Sequence, residues 1–229
     1  MATLYHNTMS SSSRFVRLII REYGLEADMV EEFPWKKRRD FLEMNPAGTL
    51  PVYVDDNKQV FCGFIVISEY FNEIRDVIQK NRLLSTDALQ RAETRRLVEW
   101  FMQKMEQDVT KPIIHERVYK LQMNYEQGGG SPDSKILRIA RNNMQQHMKY
   151  MTWLIRSRAW LAGNNISYAD LAAAATISIL DYLGEIPWEN VLAVKEWYQR
   201  IKSRPSFRPL LSDRIRGLLP VDHYTNLDF

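Results

Sequence analysis

The side chains best suited to chemistry in this chain are a run of hydroxyls, one thiol and four scattered histidines. Ser10, Ser11, Ser12 and Ser13 stand immediately before an amphipathic segment. A hydroxyl placed there can accept a hydrogen bond from the free N–H groups of a first helical turn. Capping needs only one serine, so the others are open to a second task. The single thiol, Cys62, follows Val60 and Phe61 and precedes Gly63. A small buried hydrophobe is the expected role for such a cysteine, in preference to a nucleophile. The histidines show no ligand spacing, so no metal site is expected. Trp35 stands beside Lys36, Lys37, Arg38 and Arg39. Trp and Arg are frequent interface hot spots, which makes this segment a candidate protein-binding patch. The competing reading is a solvated loop with Trp35 tucked against the core.

These residues need elements to hold them. A short strand is expected over residues 2–6, then the serine turn, then a helix. Phe15, Val16, Leu18, Ile19 and Ile20 form its apolar face, Arg14, Arg17 and Arg21 its wet one, and Gly24 its stop. A second strand fits residues 28–33. Two β runs, 50–54 and 59–62, flank the turn sequence Asp55-Asp56-Asn57-Lys58 and form a hairpin. Residues 64–74 are helical again, giving β-α-β followed by β-β-α. Leu50-Pro51 opens the hairpin, and spacing alone favours a trans proline at the start of an edge strand. Beyond Arg75 everything reads helical: 87–125, 134–158, a helix opened by 164–170, and 190–203. Gly128-Gly129-Gly130-Ser131-Pro132 is the clearest break. The reading is therefore α+β: a small α/β domain over 1–80, an all-helical domain over 87–207 with the boundary near 80–86, and an extension over 208–229. That extension is too rich in Leu, Tyr and Phe for a disordered tail. It docks either on its own helices or on a partner.

Composition excludes several classes. At 229 residues, with 45% hydrophobic and 26% charged residues, the chain is expected to be soluble and globular. A net charge of +3 is too small to argue for nucleic acid. The lone cysteine suits a reducing cytoplasm. The start has no signal-peptide pattern, and the apolar run at 171–180 is too short for a bilayer, so no membrane insertion is expected.

"NPAGTLPVYV" at 45–54 and "SYADLAAAA" at 167–175, preceded by "WLAGNNI", together resemble the glutathione S-transferase family over roughly residues 1–207. The resemblance implies a thioredoxin-like N-terminal domain with a cis-Pro51, followed by an all-α domain. In the second motif Ser167 and Asp170 form a capping box. The family's glutathione peptide pairs with the backbone just before the cis-proline, here Leu50, and His6 lies at the end of the neighbouring strand. Its γ-glutamyl group is held by a Glu-Ser or Gln-Ser pair at the start of the third helix. Those positions are Gly63 and Phe64, with neither carboxylate nor hydroxyl. Losing charge-assisted bonds of that kind costs about 2–5 kcal/mol each. His6, Leu50, Pro51, Gly63 and Phe64 therefore read as a vestigial glutathione site, and no cofactor is expected. The family's thiol activator falls on Ser10 or Ser11, the residues of a runner-up reading in which the chain is a glutathione-dependent transferase.

The ending "RPLLSDRIRGLLPVDHYTNLDF", with "LYHNTMSSSSRFVRL" and the Gly-Phe pair, is similar to the FtsZ-localised, transferase-like cell-division proteins of alphaproteobacteria, the FzlA family. That resemblance implies a non-catalytic homodimer at the division site in the cytoplasm. It would bind filaments of the tubulin-like protein FtsZ and curve or bundle them. Trp35, Arg38 and Arg39, and in the tail Asp213, Arg214, Arg216, His223, Tyr224 and Asp228, are the contacts it suggests.

Overall fold

The computed structural model describes residues 1–75 and 82–229. Its N-terminal part is a four-stranded sheet with strands β1 (Thr3–His6), β2 (Asp28–Glu31), β3 (Val52–Val54) and β4 (Val60–Cys62) in the order β2-β1-β3-β4. β1 and β2 run parallel, Thr3 opposite Asp28, joined by helix α1 (Ser11–Glu22). A parallel pair requires such a crossover. β3 pairs antiparallel with β1 and β4. Asp55 closes the hairpin, its Oδ1 accepting from Gln59 N at 2.8 Å. Helix α3 (Phe64–Arg75) completes the thioredoxin-like unit. The Leu50-Pro51 bond is cis, as the family resemblance implies and spacing alone does not. A 3₁₀ turn at Pro34–Lys36 and the short helix α2 (Arg39–Met44) escape the sequence pattern. α2 buries only Phe41, and one apolar anchor leaves no periodicity to detect.

In α1 the apolar face is as expected, but the wet face is not. Arg14 is 0% and Arg17 8% exposed. The helix lies along α8 (Tyr168–Tyr182) of the second domain as well as against α3, so its arginines are enclosed by a second layer. Their charges are met there. Arg14 Nε donates to Thr8 O at 2.8 Å, and its Nη1 donates to Ser178 Oγ and Tyr224 OH. Arg17 forms two parallel bonds of 2.8 Å to the Asp213 carboxylate. Planar guanidinium forks suit such bidentate pairing.

The second part is helical. α4 (Ala88–Glu99) continues through widened π-type turns at Trp100–Thr110, α5 (Lys111–Ile114), a second π-type stretch at His115–Tyr119 and α6 (Lys120–Gln122). Pro112 supplies no N–H within this rod, and the widened turns stand on either side of it. α7 (Ser134–Ser157) is capped by Asp133, which accepts from Lys135 N and Ile136 N. α8 is buried along its whole length, and Ala172–Ala175 present only methyl groups, which allows close packing. Its capping box forms as expected. Asp170 also accepts from Leu161 N and Trp197 Nε1. Burial pushes its carboxyl up, and these donors oppose the shift. α9 (Leu192–Lys202) and α10 (Arg208–Leu211) complete the helices. Part of the boundary expected at 80–86 falls outside the described residues.

The tail docks on its own helices. Tyr182 OH donates to Leu218 O at 2.6 Å, and Val221 N donates to Tyr182 O. Lys202 Nζ donates to His223 O, and Gln199 Nε2 donates to Phe229 O. The Phe229 ring lies edge-on to Trp188 at 5.2 Å.

Candidate functional site

Two regions hold the residues singled out by sequence. The first is the loop before α1, beside Leu50. Ser10 caps α1, accepting from Ser13 N at 3.2 Å. Ser13 Oγ accepts from Asn7 N. Ser12 Oγ donates to Leu50 O at 3.1 Å, engaging one lone pair of that carbonyl. Ser11 Oγ donates to Glu106 Oε2 at 2.7 Å across the domain junction. All four serines are thus engaged in hydrogen bonds within the chain. Burial pushes the Glu106 carboxyl up to about 7, against the pull of Ser11 and Lys111. Nothing in the sequence around Glu106 distinguishes it from a solvated helix residue. Only the packing of α1 against the π-type turns turns it inward.

His6 is buried, and burial, aided by Arg17, holds it down to about 4. Neutral imidazole is the form that this site accepts at physiological pH. Gly63 has φ +86°, a region where a side chain is strained, and its N–H donates to Pro51 O at 2.9 Å. Phe64 opens α3 with its ring edge-on to Phe15, 6.0 Å between centroids. Cys62 is half-buried. Its Sγ lies 3.7 Å from Met44 O, and burial raises its pKa, which disfavours a reactive thiolate.

The second region is a groove of about 430 Å³ where the Trp35 segment meets the tail. Phe33, Trp35 and Lys36 form one wall, Leu121 and Gln122 at the end of α6 another, and the turn from Arg214 to Gly217 the third. Trp35 is held by rings on two sides, Phe33 at 5.3 Å and Tyr119 at 4.7 Å. Lys36 Nζ sits 4.3 Å over the Phe33 ring. Arg214 and Arg216 are exposed at the rim. The one acid in the lining, Glu31, accepts from Thr8 Oγ1. The groove therefore combines an aromatic floor with three cations. Leu121, Gln122 and Tyr119 could not be assigned to it from sequence, because they lie more than eighty positions from Trp35.

The remaining candidates are placed as follows. Arg38 is held by Glu32 and Asp40, and Arg39 by Glu43, so neighbours already neutralise both. Asp213 is engaged by Arg17 and cannot also serve a partner without breaking that pair. Tyr224 is 0% exposed, which corrects its reading as a contact: its hydroxyl accepts from Arg14 and donates to Leu210 O. His223 lies 3.0 Å from Asp181 Oδ1 and stacks on Phe229. Asp228 is exposed, and neither it nor His223 lines the groove.

A thioredoxin-like sheet with a cis-proline at the start of its inner strand β3, joined to a helical domain with a capped central helix, defines a transferase-type fold. The family models agree: residues 9–74 match the glutathione S-transferase N-terminal domain and 118–205 its C-terminal domain. The chain belongs to the glutathione S-transferase family. Within it, the chain is 39% identical over 99% of its length, and 98% of the relative's, to FtsZ-localized protein A of Caulobacter vibrioides. A solved structure of FzlA from C. crescentus superposes with TM-score 0.93 at 38% identity, covering 100% of this chain and 99% of that one. A crystal structure of a glutathione S-transferase from Sinorhizobium meliloti superposes with TM-score 0.98 at 63% identity, covering all of both chains. Among the described residues no helix is long and apolar enough to cross a membrane.

Proposed function

We propose that this chain is a non-catalytic, transferase-fold adaptor that binds FtsZ filaments through the groove between Trp35 and the tail. The observation that carries this reading is the convergence of two distant segments. Both were marked by sequence as partner contacts, and the fold joins them in one aromatic, cationic groove. The full-length similarity to an FtsZ-localized protein supplies the partner. Action would then be at the division site, in the cytoplasm.

A homodimer fits the same reading. Ile65 and Val66 on α3 are 54% and 51% exposed, and Leu89 on α4 is 82% exposed. A groove of about 360 Å³ runs between these helices. Apolar faces of this kind mark interfaces. A two-fold dimer carries two grooves, so avidity on a repeating filament multiplies a modest affinity.

The test is co-sedimentation with polymerised FtsZ. Trp35→Ala is expected to weaken binding at least tenfold while circular dichroism stays unchanged. Undiminished co-sedimentation removes Trp35 from the site and defeats the groove assignment.

A second reading, a glutathione-dependent transferase, is favoured by the cis-Pro51 geometry and by the 63%-identical structure. Against it stand Gly63 and Phe64 and the committed serines. Calorimetric titration separates the two. No heat at several millimolar glutathione is expected, whereas sub-millimolar binding abolished by Ser11→Ala would establish the transferase reading.

A further inference from the structure

A second groove, of about 610 Å³, lies between α7 and the turn leading into α9, and none of its residues belongs to the Trp35 groove. Its floor is Met144 and Met148 on α7, with Pro187 and Val191 opposite. Both methionines are core residues, 4% and 2% exposed, so they close the bottom of the groove and its open apolar surface is at the rim. Trp153 stands at the edge with 61% of its surface in solvent, and Leu192, next to Val191, is equally open. Two large apolar side chains this exposed, beside an apolar floor, are what an interaction site presents before it is covered.

The charges are as informative. Lys149 and Arg156 line the groove and no carboxylate does. Neither cation has an ion-pair or hydrogen-bond partner among the described residues. Arg96, Arg141 and Arg158 of the same domain are all paired with glutamates. Lys149 and Arg156 are seven positions apart on α7, two turns, so their Cα atoms are separated by about 10 Å along the helix. Alternate residues of an extended chain share a face, and four residues span about 13 Å, a difference that the long Lys149 and Arg156 side chains cover.

We infer that this groove is a docking site for a short acidic segment of a partner protein. It would bind extended, with two carboxylates four positions apart and a large apolar side chain midway between them, all three on one face. The carboxylates reach Lys149 and Arg156, and the apolar side chain packs on Trp153 over the methionine floor. Charge complementarity selects this occupant, because the rim offers two unengaged cations to any ligand that fills the apolar floor. The chain would then carry two separate ports, and the second can hold another protein while the first holds a filament.

The test is a random peptide display library panned on the full-length protein, with counter-selection on Lys149→Glu/Arg156→Glu. Selected peptides are expected to share an acid-x-apolar-x-acid spacing, with leucine, isoleucine or phenylalanine at the centre. A representative synthetic peptide should lose more than tenfold in affinity to the double variant and to Trp153→Ala. Trp35→Ala should leave it unchanged, which separates this site from the first groove. Thermal melts establish that the variants fold. Peptides that are basic or uncharged, or that bind all the variants equally, overturn the inference. It is also overturned if Trp153→Arg dissociates a dimer in light scattering, since a second copy then covers the face. Co-sedimentation with phosphatidylglycerol vesicles that depends on Lys149 and Arg156, in the absence of any selected peptide, would replace the protein partner with an anionic lipid surface.

Discussion

The pair Arg17–Asp213 ties the base of the tail to α1, and removing one partner tests whether the tail is part of the folded core. The two side chains are only 9% and 12% exposed, with two bonds of 2.8 Å between them. Asp213 also lies 3.9 Å from Arg14 Nη2, itself fully enclosed. Asp213→Leu therefore leaves two buried guanidinium groups facing one another without their shared counter-charge. Breaking a buried pair from one side costs about 3–5 kcal/mol, and the second arginine places this case near about 4. In a chain of this size that corresponds to a melting temperature lower by about 8–16 °C. Arg17→Met should cost less, because the remaining carboxylate still faces Arg14. The double variant Arg17→Met/Asp213→Leu should recover most of the loss, since an apolar pair leaves no uncompensated charge at that position. Urea unfolding followed by circular dichroism and by tryptophan fluorescence measures all three; coincidence of the two probes checks that the transition is two-state. Trypsin cleavage after Arg214 and Arg216 should accelerate in Asp213→Leu. A loss below about 0.5 kcal/mol for Asp213→Leu, or a double variant no more stable than it, would refute the argument that the pair fixes the tail.

Gly184→Ala should destabilise the chain by at least about 1–2 kcal/mol, because φ is +66° and a Cβ there would lie 2.6 Å from Val221 Cγ1. Adding Val221→Ala should relieve the clash but not the backbone cost, as read by thermal melts. Stability against pH should show two opposing slopes. Glu106 is raised from 4.5 to about 7, so its contribution is present at low pH and is lost as pH rises through that window. His6 is lowered from 6.5 to about 4, so its contribution is present above 6.5 and is lost as pH falls toward 4. Glu106→Gln should therefore make the chain gain stability more steeply between about pH 4.5 and 6.5 than the unaltered chain does, and His6→Gln should make it gain less. Identical urea-unfolding profiles for all three proteins would dismiss both assignments. Arg214→Glu/Arg216→Glu should weaken filament co-sedimentation and flatten its dependence on salt. An unchanged salt dependence would mean that the groove does not act through charge.

Much of the architecture could be read along the chain, because it is written in local signals. The strand–helix–strand order follows from periodicity, the hairpin from Asp55-Asp56-Asn57-Lys58, and the start of α8 from Ser167 and Asp170 three positions apart. The cis state of Pro51 came only through family resemblance, since spacing favoured trans. Short elements such as α2 were missed because one buried Phe41 makes no pattern.

What the sequence by itself determined is therefore the longer elements with their order, and the absence of a carboxylate and hydroxyl at Gly63 and Phe64. What tertiary structure decided is which polar residues are solvated. Arg14 and Arg17 look like the wet side of an amphipathic helix, and only the second layer formed by α8 and the tail encloses them. Tyr224 looks like an exposed recognition residue, yet it supplies the hydroxyl that Arg14 needs. Glu106 acquires its raised pKa from burial at the domain junction, against the pull of Ser11. Trp35 and Arg216, 181 positions apart, become one groove only when the tail folds back. The physical reason is common to all of them. Helix and strand propensity act over a few neighbouring residues, whereas burial of charge and the shape of a groove depend on contacts between segments far apart in the chain.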